Sequence, residues 1–243
     1  MVNIKENLER VGERVRSAAL RLGRKPEEVR LVAVTKTVGV AAIQEAMACG
    51  VRIFGENRVQ EAVPKIQELG QSDITWHFVG HLQTNKAKQV MGLFDLIHSV
   101  DTVRLAQALD TWMNNYNSLN RHTGPHTKTV SRQKVLIQVN ISGEPTKSGV
   151  SPEKLGLMVK EISRCRFLAV VGLMTIPAAS DDPERSRPVF RTLRDLAASV
   201  AKKGIDGVSM EELSMGMSAD FEVAIEEGAT LVRVGTAIFG QRD

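Results

Sequence analysis

The chain has 243 residues, 42% apolar and 25% charged, with a formal net charge of +4, the proportions of an ordinary globular protein. No stretch reaches the roughly 20 apolar residues of a membrane-spanning helix, and the start, MVNIKENLER, lacks a signal-peptide core, so a cytoplasmic protein with no membrane role is expected. Cys49 and Cys165 have neither disulfide-framework nor zinc spacing, and the modest charge suits a small anionic ligand rather than nucleic acid.

Residues 1–25 are expected to form a helix packed on the main body. Within them 3–22 carry Ile4, Leu8, Val11, Val15 and Leu20 among charges, an amphipathic pattern. The almost wholly apolar run 29–35 follows and predicts a strand buried on both faces. It ends at Lys36. A lysine at the rim of a parallel sheet projects into a partly desolvated site, where burial lowers its pKa and makes the amine a nucleophile towards carbonyls. The alternative is an exposed rim charge.

Residues 41–49 predict a helix stopped by Gly50, and 51–54 a second strand ending at Gly55-Glu56-Asn57-Arg58. A helix to about Leu69 precedes a third strand, 75–79, which ends at Gly80-His81. A short helical piece, 85–91, leads to a fourth strand, 96–100, and a helix over 102–113. The polar, Asn-rich stretch 114–132 predicts a surface loop. It holds Tyr116, the only tyrosine, and its Arg121, His122, His126, Lys128 and Arg132 leave open a basic docking surface. Strands follow at 135–140, 168–174, 208–213 and 230–234, with helices over 152–164 and 188–203.

Eight apolar strands alternating with helices predict one domain over 1–243, a single (β/α)8 TIM-type barrel. An open doubly wound sheet is the other possibility, but its Gly-x-Gly-x-x-Gly turn is missing after the first strand. Such barrels gather ligands at the C-terminal strand ends. Those ends carry Lys36, Asn57, His81, Ser99, Asn140, Met174, Ser214 and the Arg233, Gly235, Thr236 group. In the segment 213–220, Ser218 suits an N-cap and Gly228 closes the helix, so Gly216 and the free N–H groups form an anion site. Gly235 and Thr236 supply a second turn, in the loop pair where these barrels hold phosphates. Plain helix capping is the alternative. An imine-forming lysine with a phosphate cradle suggests pyridoxal 5′-phosphate. Arg233, interrupting an apolar strand, could then face the pyridine nitrogen and keep it unprotonated, or could pair with a carboxylate inside the barrel.

Six segments carry a further signal: Val34-Thr35-Lys36, FGENRVQE at 54–61, WHFVGHLQTNK at 76–86, GLMTIP at 172–177, LSMGMS at 213–218 and VRVGTAIFG at 232–240. In this order they resemble the YggS/PROSC family, the pyridoxal phosphate homeostasis proteins. The resemblance implies a barrel like the N-terminal domain of alanine racemase, with an extra N-terminal helix and Lys36 as the imine-forming residue. It implies phosphate contacts at Ser214, Ser218, Gly235 and Thr236, and Arg233 near the pyridine nitrogen. Asn57, His81 and Met174 would line the cofactor pocket. The stretch 114–132 departs from the family by its length.

A racemase needs two bases on opposite faces of the substrate, and in alanine racemase one is a tyrosine from a second subunit. With nine residues after Val234, no second domain is expected, and His81 or Lys36 lacks an evident partner base. The resemblance then implies a non-enzymatic carrier that buffers or delivers the cofactor to apoenzymes, expected as a monomer with no catalytic residue and no metal. A weak racemase or decarboxylase and a cofactor-responsive protein regulator are the alternatives.

Overall fold

Strands apolar on both faces must be covered on both, and here a closed cylinder with an outer ring of helices does so. The computed structural model describes residues 2–70, 74–120 and 132–241. The strands are β1 (Arg30–Val34), β2 (Ile53–Glu56), β3 (Thr75–Phe78), β4 (Leu96–Val100), β5 (Gln133–Gln138), β6 (Leu168–Met174), β7 (Val208–Ser214) and β8 (Leu231–Val234). Each pairs in parallel with the next, and β8 returns to β1 with Val32 opposite Arg233, which closes the barrel. The helices are α1 (Ile4–Arg21), α2 (Val40–Ala48), α3 (Val59–Leu69), α4 (Ala87–Val90), α5 (Val103–Asn120), α6 (Pro152–Ile162), α7 (Arg187–Ala201), α8 (Phe221–Glu226) and α9 (Thr236–Phe239).

Alternate residues along each strand face opposite sides, and this divides the core into two layers. Val32, Leu96, Leu136, Met174 and Leu231 fill the barrel interior, joined by Ile53, Val79 and Val171. Phe54, Phe78, Ile97, Leu105 and Phe190 belong to the larger layer between strands and helices. Helix α1 belongs to the outer ring, where it contacts α8, α9 and α2. Asn3 caps it by accepting from Glu6 N at 3.1 Å. Arg14–Glu222 at 2.7 Å and Arg21–Glu226 at 2.8 Å tie it to α8, while Arg24 donates to the carbonyls of Ile225 and Ala229. Leu20, expected on the buried stripe, is instead 54% exposed.

The stretch expected as a loop from residue 114 begins later than the sequence suggests. Helix α5 continues to Asn120, because Leu105, Leu109, Met113 and Tyr116 keep helical spacing through the Asn-rich part. Asparagine is a weak helix former, which hid this from composition. Tyr116 packs against Gly92, just before β4, and Asn117 is buried. Arg121, His122, His126 and Lys128 lie outside the described residues; Arg132 is exposed and donates to the Arg166 carbonyl at 3.0 Å. Strand β2 is also shifted from the expected 51–54, extending through Glu56, and β5 ends at Gln138, leaving Asn140 to the following loop.

Candidate functional site

The C-terminal strand ends place the residues singled out above around one rim. Lys36 follows β1 and is exposed, so the protein atoms around it do not supply the desolvation its apolar strand suggested. The turn that presents it is closed by Val38 N donating to Thr35 O at 2.9 Å.

Across the rim, the loops after β7 and β8 are joined through Ser218. Its hydroxyl oxygen lies 3.4 Å from Gly235 N and 3.3 Å from Ala237 N, where it accepts from the turn that opens α9. Ser218 is therefore not the N-cap of α8, as expected; Asp220 holds that position. Asp220 accepts from Met217 N at 2.7 Å through one carboxylate oxygen and from Ser186 Oγ at 2.9 Å through the other, which fixes the loop from inside. Gly216 takes φ +89°, a conformation costly for other residues, and a Cβ there would strike Ala224 and Phe221. Gly235 is buried and Thr236 is exposed beside it.

Arg233 points into the barrel and is 5% exposed. Nη1 donates to Ser214 Oγ at 2.6 Å and Nη2 to the Thr175 carbonyl at 3.0 Å. Both partners are neutral, so the alternative of an intimate carboxylate pair is not what holds this guanidinium. Burial pushes its pKa down to about 10, and the field of Asp220 opposes the change. Ser214, expected among the phosphate contacts, turns its hydroxyl inward. Its Oγ lies 2.8 Å from His98 Nδ1, and His98 Nε2 lies 3.0 Å from His77 Nδ1. Because an arginine only donates, the order of the chain follows: Arg233 to Ser214, Ser214 to His98, His98 to His77. Reversing the middle bond would leave the hydroxyl proton without an acceptor among these partners. Burial pushes His77 down to about 3, helped by Arg30 and Lys134, and pushes His98 well below the usual imidazole range, helped by His77 and Arg233.

The remaining candidates have separate settings. Asn57 is half-buried, and its Oδ1 has no hydrogen-bond partner among the described residues. Gly80 packs so closely on the Asn57 backbone that no Cβ fits there. His81 is exposed; its Nδ1 lies 3.1 Å from Ser148 Oγ and 3.6 Å from Asp101, whose carboxyl burial raises against the pull of His81. Asn140 organises the next loop by donating to the carbonyls of Glu144 and Lys147 at 2.9 and 3.2 Å. Met174 is fully buried in the interior layer, below the rim. Sequence reading missed Thr175, His77 and His98. A histidine in the otherwise mostly apolar strand Leu96–Val100 is the available signal. Among the described residues no group of three or more His, Cys, Asp or Glu is placed to hold a metal, and no helix is long and apolar enough to cross a membrane.

The chain thus forms a closed parallel barrel with a lysine after β1 and glycine-containing loops after β7 and β8. Residues 4–243 match the family model "Alanine racemase, N-terminal domain". An alanine racemase of Clostridium difficile shares the fold at 14% identity and a TM-score of 0.70, aligning with 99% of this chain and 57% of its own. Much nearer in sequence is the pyridoxal phosphate homeostasis protein of Aquifex aeolicus, 44% identical over 99% of both chains. PipY of Synechococcus elongatus, solved with pyridoxal phosphate bound, is 37% identical with a TM-score of 0.80, covering 98% of this chain and 100% of that one. The chain belongs to the pyridoxal phosphate homeostasis protein family.

Proposed function

We propose that this chain holds pyridoxal 5′-phosphate reversibly at Lys36 and serves as an intracellular buffer or delivery protein for it. The observation that carries this reading is one exposed primary amine at the rim of a barrel whose β7 and β8 loops are pinned together by Ser218. The donor set fits the group. Lys36 supplies the amine; the hydroxyls of Ser218 and Thr236, on the two joined loops, suit a phosphate. The buried Arg233 offers a guanidinium with neutral partners to the ring nitrogen, and the orphaned Asn57 Oδ1 offers an acceptor. When bound, the cofactor supplies an aldehyde that condenses reversibly with an amine, which suits storage and release.

The family likeness favours a carrier over an enzyme. Tyr116, the chain's one tyrosine, packs against Gly92 before β4, at the end of the barrel opposite the rim. We take the carrier to be a cytoplasmic monomer whose recipients are pyridoxal phosphate-dependent apoenzymes. Incubating loaded protein with L- and D-alanine in deuterated water tests the function: α-proton exchange stays at the level of free cofactor. Sustained, Lys36-dependent exchange would establish a racemase instead.

The phosphate placement has its own test. Ser218→Ala is expected to weaken cofactor binding by about 1–3 kcal/mol, read by equilibrium dialysis, because the phosphate loses a charge-assisted partner and the two loops lose their pin. Binding of pyridoxal, which has no phosphate, should not change.

A further inference from the structure

Behind Lys36 lies an ion pair that the fold alone does not require. Glu56, at the end of β2, is 0% exposed, and the Lys65 side chain on α3 is 12% exposed. One carboxylate oxygen of Glu56 accepts from Lys65 Nζ at 2.8 Å and from the Thr35 hydroxyl at 2.6 Å. Lys65 Nζ also donates to the Thr35 carbonyl at 2.7 Å. Both polar handles of the residue before Lys36 are thus tied to one buried pair. The residue after Lys36 is held as well. Thr37 N donates to Glu61 at 3.2 Å, its hydroxyl donates to the Lys36 carbonyl at 2.6 Å, and its φ is +61°. A β-branched residue takes that conformation only where its surroundings impose it.

From these contacts we infer that Glu56 and Lys65 are positioning residues for Lys36. This rests on the reading of Lys36 as the cofactor's anchor. A buried ion pair adds little net stability, and its replacement by neutral side chains is often tolerated. Its specific product here is geometry: it fixes the backbone on the N-terminal side of Lys36, while Glu61, four residues before Lys65 on α3, fixes the other side. In the covalent step, Lys36 Nζ forms a C=N bond to the aldehyde carbon of pyridoxal 5′-phosphate and one water leaves; hydrolysis is the reverse. The rate of that step depends on how well the amine is aimed, whereas ring and phosphate recognition does not involve it.

Lys65→Met alone strands a buried carboxylate and endangers folding. The test is therefore the double variant Glu56→Gln with Lys65→Met, which leaves no unpaired charge and keeps an acceptor for Thr35. Mixing apoprotein with pyridoxal 5′-phosphate and following the visible imine band should show formation slowed on the order of 100-fold. Affinity for pyridoxamine 5′-phosphate, which has the same ring and phosphate but no aldehyde, and the thermal midpoint of the apoprotein should stay close to wild type. Imine formation at the wild-type rate overturns the inference. So does a parallel loss of pyridoxamine 5′-phosphate binding and thermal stability, which marks the pair as merely structural. If the wild type itself forms no Lys36-dependent band, the anchor reading fails instead.

Discussion

Ser214→Ala is expected to destabilise the apoprotein by about 2–5 kcal/mol, a large loss for one oxygen atom. Ser214 is the joint of the interior chain: it accepts from Arg233 and donates to His98. Its removal leaves a buried guanidinium N–H and a buried imidazole nitrogen without partners, and each such group costs its own desolvation penalty. Ser99 gives the matched control. It is as fully buried as Ser214, but its hydroxyl has no partner among the described residues. Ser99→Ala should therefore be neutral or stabilising. Urea titrations of the two variants decide the point: equal effects would show that volume, and not hydrogen bonding, governs both sites.

The second large effect is acid sensitivity. His77 has its pKa pushed from 6.5 down to about 3, and that of His98 is also well below 6.5. In the unfolded chain both imidazoles bind protons as pH falls below 6.5, while the folded protein refuses them. The unfolded state then holds more protons, so stability rises with pH across this window and is lost as pH falls from about 6.5 towards 3. From His77 alone the slope reaches up to about 1.4 kcal/mol per pH unit. Carboxylates depressed by ion pairs, such as Glu226 beside Arg187 and Arg21, act only nearer the ordinary value of 4.5 and below. Between pH 6.5 and 4.5 the histidines dominate, opposed only by Asp101, whose carboxyl is raised by burial and so favours the folded state as pH falls. Denaturant midpoints measured at pH 7, 6 and 5 should fall steadily. A flat profile would mean that both imidazoles take up protons inside the barrel.

Much of the architecture was legible because periodicity and position agree at most strands. The run ending at Val34 and the run 168–174 have apolar residues on both faces, and only a sheet covered on both sides explains them. What escaped depends on contacts that pattern does not encode. Glu56 lies beyond the expected strand 51–54, yet Lys65, nine positions later on another element, holds its carboxylate at the buried end of β2. Ser214 and Ser218 belong to the same motif and are both serines, but strand register turns one inward to Arg233 and leaves the other bridging Gly235 and Ala237. The continuation of α5 was hidden by weak intrinsic propensity at Asn114, Asn115 and Asn117, overridden by packing of Met113 and Tyr116.

One particular amine among the lysines of this chain, that of Lys36, is the proposed anchor. Borohydride reduction of the protein loaded with pyridoxal 5′-phosphate converts a reversible C=N bond into a permanent one, and peptide mass mapping then locates the added mass. The label is expected on the peptide containing Lys36, and should disappear in Lys36→Ala together with the visible band. Label on another lysine at equal occupancy, or a band unchanged in Lys36→Ala, would contradict it.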